Sequence, residues 1–70
     1  MAVQVFTAML HKEEDLYVAE CPEVGTVSQG HTVEAAIVNL KEATELYMEE
    51  FPLSTVSRSL LTTFEVAAYA

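Results

Sequence analysis

Basic residues are scarce in this chain. Lys12, Lys41 and Arg58 stand against eleven Asp and Glu, for a formal net charge of −8 over 70 residues. Gripping a nucleic-acid backbone takes a cluster of cations, and three scattered ones make no such patch, so direct nucleic-acid binding is not expected. Cysteine is scarcer still. The single Cys21 permits no intrachain disulfide and fits a reducing compartment. No Cys/His group has the spacing of a zinc site, and no metal or other cofactor is expected. A domain this small, without either staple, has self-association left as a way to enlarge its core, so a dimer or tetramer is expected. The N-terminus lacks a basic start followed by an apolar core and a cleavage site, and no apolar run is long enough to span a bilayer. These two absences point to a cytoplasmic protein.

What is present reads as one α+β domain over residues 1–70. Residues 2–10 (AVQVFTAML) are β-branched and apolar and predict a first strand; HKEED at 11–15 predicts the turn into a second strand, LYVAEC at 16–21. Pro22 cannot donate to a ladder and ends that strand, Gly25 permits the turn, and TVSQ at 26–29 predicts a short third strand. Thr32 is a suitable N-cap for a helix in which Val33, Ala36, Ile37, Leu40, Ala43, Thr44, Tyr47 and Phe51 recur at helical spacing on one face until Pro52 stops it. A polar connector follows, then a fourth strand at 60–69 (LLTTFEVAAY). The order β-β-β-α-β with a right-handed crossover predicts a four-stranded sheet, order 3-2-1-4, with one helix on one face. The expected core includes Val5, Val18, Val27, Val33, Ile37, Leu40, Tyr47 and Phe64.

Three candidates for chemistry can be weighed on residue type. Cys21 has Glu20, Pro22 and Glu23 as neighbours, and nearby negative charge raises a thiol's pKa, so a buried structural cysteine is the expectation. His11 in a polar turn and His31 before the cap have no ligand-spaced partner. The β-β-β-α-β order is also that of the ribonuclease H core, whose chemistry uses two divalent ions held by carboxylates, one of them on the first strand. AVQVFTAML has no carboxylate. No enzymatic activity is expected.

The residues themselves carry a resemblance. Tyr17-Val18-Ala19-Glu20-Cys21-Pro22-Glu23, Val27-Ser28-Gln29-Gly30, Thr32, Val33-Glu34-Ala35-Ala36, Asn39-Leu40-Lys41-Glu42-Ala43 and Leu61-Thr62-Thr63-Phe64-Glu65-Val66 together resemble the HicB family of antitoxins. Val24-Gly25-Thr26 stands where many of that family have a Pro-Gly-Cys turn. The resemblance implies a degenerate ribonuclease H-like fold without catalytic carboxylates. It also implies a partner: a HicA-like toxin, a small basic protein that cleaves RNA and is neutralised when its active surface is covered. Longer members add a DNA-binding module, which is not expected in this chain. On this reading Tyr17, Cys21, Pro22, Gly25, Gly30 and Thr32 specify the fold, and Glu20, Glu23, Glu42, Glu45 and Glu49 are the candidate contacts for a basic partner. The alternative is a domain of the same kind that serves as a binding or oligomerisation module for another partner or a small ligand.

Overall fold

A computed structural model describes residues 3–52 and 59–68 of the chain. Its elements are β1 (Met9–Glu13), β2 (Leu16–Cys21), β3 (Thr26–Gly30) and α1 (Val33–Glu50). The three strands form an antiparallel sheet in the order β1-β2-β3, and α1 lies across one face. The chain is therefore α+β.

The helix sits where its signals place it. The Thr32 hydroxyl accepts the Ala35 N–H at 3.0 Å, satisfying one of the donors that a helix start leaves free. Glu34 lies in the first turn, against the positive end of the helix dipole. At the far end the Phe51 N–H still reaches the Tyr47 carbonyl, the two rings stand 5.1 Å apart, and Pro52 follows.

The corner between β2 and β3 is equally local. Gly25 donates to the Cys21 carbonyl at 2.8 Å and takes φ +86°, a conformation that side-chain-bearing residues rarely adopt. Pro22 sits outside the ladder, just after the last residue of β2.

The first strand departs from the expected span. Residues 3–8 belong to no ladder, and β1 runs Met9–Glu13, so His11, Lys12 and Glu13 are ladder residues and the turn narrows to Glu14 and Asp15. An edge strand exposed along its length needs no apolar alternation and tolerates charge. Lys12 also lies 5.7 Å from the centre of the Tyr17 ring, its paired residue across the ladder.

Among the described residues the fourth strand is not formed. Residues 60–68 are exposed and outside any ladder, so the order 3-2-1-4 is replaced by a three-stranded sheet with an unpaired arm. The expected strand's last residue and most of the connector (53–58, including Arg58) lie outside the described residues, as does the start of the first strand.

The core also shifts by one position. It consists of Ala19, Cys21, Ala36 and Leu40, with Thr44 buried beside them and Phe6, Ala8, Tyr17 and Val24 packed around. Successive strand residues face opposite sides, so Tyr17, Ala19 and Cys21 meet the helix while Leu16, Val18 and Glu20 face away. On β3 the helix-facing set is Thr26, Ser28 and Gly30, which leaves Val27 exposed. Of the expected core, Leu40 is buried and Val18 and Tyr47 are half-buried, while Val5, Val27, Val33, Ile37 and Phe64 are exposed. Small residues win these places because they let helix and sheet approach closely. The Thr26 and Thr44 hydroxyls hydrogen-bond at 2.7 Å across the layers, and Asn39 Nδ2 donates to the Gln29 carbonyl at 2.8 Å.

Candidate functional site

Two features share one side of the molecule. The first is an apolar groove of about 610 Å³ between residues 3–8 and α1. Val3, Phe6 and Ala8 form one wall, Ile37, Leu40 and Met48 the other, and Cys21 lies at the floor. The second is acidic. Glu42, Glu45 and Glu49 recur at i, i+3 and i+7, which puts them on one exposed stripe of α1, and Glu45 and Glu49 reach the groove's rim. Lys41 is the cation lining the groove among the described residues.

The other two candidate contacts do not join this stripe. Glu20 points to the opposite face of the sheet, where Met9 and Val27 flank it across the ladder. Glu23 is half-buried and engaged by its own chain. Its carboxylate accepts the Thr7 N–H at 2.9 Å, the Thr7 hydroxyl at 2.6 Å, the Cys21 thiol at 3.3 Å and the Ser59 N–H at 3.4 Å. One side chain thus ties the N-terminal segment, the end of β2 and the root of the C-terminal arm. Thr7 lies sixteen residues away in sequence, and no local signal announces the pairing.

This clasp sets the local acid–base chemistry. The Thr7 hydroxyl and then the Thr7 N–H favour the ionised carboxylate and bring Glu23 from 4.5 down to about 2. Burial pushes the Cys21 thiol above its ordinary value, and the hydrogen bond to Glu23 adds to that rise. A thiol held protonated is a weak nucleophile. His11 makes only an exposed 3.4 Å contact with Glu13, and among the described residues no three His, Cys, Asp or Glu side chains converge as a metal site would require.

The Glu23 clasp has a pH signature. A carboxylate whose pKa is lower folded than unfolded contributes stability that is fully present above its unfolded value and lost as pH falls through its folded one. Here that window runs from 4.5 down to about 2. Thermal melts of the parent and of Glu23→Gln should therefore differ most above the window and converge toward its lower end. A gap that stays constant across the window would mean the carboxylate charge is not what holds Thr7.

Similar proteins are known in two bacteria. A UPF0150 protein of Synechocystis is 34% identical, in an alignment covering 81% of this chain and 86% of that one. A UPF0150 protein of Helicobacter pylori is 35% identical, covering 90% of this chain and 96% of its own. The chain belongs to the UPF0150 family. No family profile and no solved structure matches it. The likeness takes in β2, β3 and the helix, since the alignment with the second relative covers 90% of this chain. None of the described helices is long and apolar enough to cross a membrane.

Proposed function

We propose that this UPF0150 protein is a non-enzymatic, antitoxin-like interaction protein of the HicB type that captures a small basic RNA-cleaving protein. The observation that carries the reading is the exposed carboxylate stripe Glu42, Glu45 and Glu49 on a chain of net charge −8. An RNase presents positive charge where phosphates would lie, and an acidic helix face can occupy that surface and keep RNA out. The HicB-like run over residues 17–43 supports the same assignment, and the protonated thiol of Cys21 fits a protein without nucleophilic chemistry. Glu20 and Glu23 leave the contact set, the first because it faces away from the stripe and the second because it is bound internally. A ligand-binding module is the second reading, favoured by the groove beside the stripe.

The experiment is co-expression with an adjacent gene for a small basic HicA-like protein. Growth should be rescued and the two proteins should co-purify. Reversing Glu42, Glu45 and Glu49 to Lys should slow capture roughly 10-fold or more at low salt, with a smaller gap as salt screens the charges. The fold should stay intact, because exposed charges contribute little to stability. Persistent growth arrest with no complex would discard the antitoxin reading in favour of the module.

A further inference from the structure

Two segments with strand-like sequences lack ladder partners among the described residues: residues 3–8 and residues 59–68. The second is the more unusual. Leu60 is 95% exposed, Phe64 84% and Val66 73%, an apolar arm that touches almost nothing of its own chain. The molecule is correspondingly drawn out, with extents of 50 × 27 × 17 Å and a radius of gyration of 14.4 Å. A compact domain of this length would have a radius of about 11 Å. Large apolar side chains held in water forgo the free energy of burial, and an arm of this composition calls for a surface.

That surface is present in the same fold. The groove between residues 3–8 and α1 is apolar, and its outer wall is a segment with backbone groups outside any ladder. The arm starts beside it: the Ser59 N–H is bonded to Glu23, which also holds Thr7 on the groove wall. None of residues 59–68 lines that groove, however, and Phe64 lies in solvent. The arm carries one charge over residues 59–68, Glu65, and Lys41 lines the groove together with Glu45 and Glu49.

We propose that the occupant of the groove is the C-terminal arm of a second copy. Residues 60–66 of each chain add as a strand along residues 3–8 of the other and seat Phe64 between that segment and α1. The exchange is reciprocal, as two-fold symmetry requires, and each groove is complete only when the partner supplies its arm. The inference stands independently of which protein the acidic stripe binds.

Two measurements test it. Light scattering should report a dimer of the 7.7 kDa chain, and Phe64→Asp should weaken association roughly 30-fold or more. Because Phe64 is exposed in the protomer, the circular dichroism of that variant should match the parent's. In a Cys21→Ala background, Ile37→Cys on the groove wall and Phe64→Cys on the arm should be bridged by a short bismaleimide. A covalent dimer is expected. A bridge within one chain would show the arm folding into its own groove. A monomeric parent, a dimer indifferent to Phe64→Asp, or no bridge at all would each overturn the exchange.

Discussion

Gly30→Ala is expected to lift the start of α1 off the sheet and to cost about 3 kcal/mol, the top of the range for forcing one carbon into a packed contact. A Cβ at Gly30 would stand 2.6 Å from the Ala36 nitrogen and 2.8 Å from both the carbonyl carbon and the Cβ of Ala35. Two of these three atoms are helix backbone, so no side chain can rotate out of the way. The same turn is pinned by the Thr32 cap to Ala35 and by the Ala36 N–H to the Thr32 carbonyl at 3.0 Å. Relief therefore has to come from moving the whole turn, which draws Ala36 away from Ala19 and Cys21. A 70-residue domain holds about 3.5–10 kcal/mol in total, so this one methyl consumes a large share. Gly25→Ala is the control. It meets nothing within 4 Å and is strained only through φ +86°, for roughly 1–2 kcal/mol. Denaturant midpoints should rank parent, Gly25→Ala, Gly30→Ala. If the two alanines cost the same, close approach is not what the glycine at position 30 provides.

That contact marks the boundary of what the sequence discloses. The helix was legible because its signals are local: apolar residues at helical spacing, Thr32 at one end and Pro52 at the other. The corner was legible for the same reason, through Pro22 and Gly25. Which face of each strand meets the helix is not local. Val18 and Val27 look like core residues by hydrophobicity, yet Ala19, Ala36 and Gly30 take the interface because an 18-residue helix can settle closely only on small ones. The arm fails for a different reason. Leu60, Phe64 and Val66 do have strand character, but a strand needs a partner, and none pairs with them among the described residues. Of the candidate contacts, Glu42, Glu45 and Glu49 could be grouped from their spacing alone. The removal of Glu23 from that set could not, since it depends on Thr7 and Ser59 meeting one carboxylate in three dimensions.

Leu40→Ala tests the core and its link to association together. Leu40 is 5% exposed, packs with Ala19, Cys21 and Ala36, and also lines the groove wall. Truncating a buried leucine costs roughly 2–5 kcal/mol, the spread depending on how far the surroundings collapse into the void. One side of this void opens to the groove, where water or neighbouring side chains can enter, so the lower end applies, about 2–3 kcal/mol. For a domain of this size that lowers the melting temperature by roughly 8–20 °C. The loss should also depend on concentration. If the partner's arm fills the groove, association stabilises the fold by mass action, and the damaged core leans on that contribution more heavily. Melts of Leu40→Ala across a range of protein concentration should therefore climb with concentration. The same substitution combined with Phe64→Asp should melt low and flat. A Leu40→Ala chain that melts within a few degrees of the parent would show that the core lies elsewhere. One that melts low but without concentration dependence would keep Leu40 in the core and separate it from the exchanged arm.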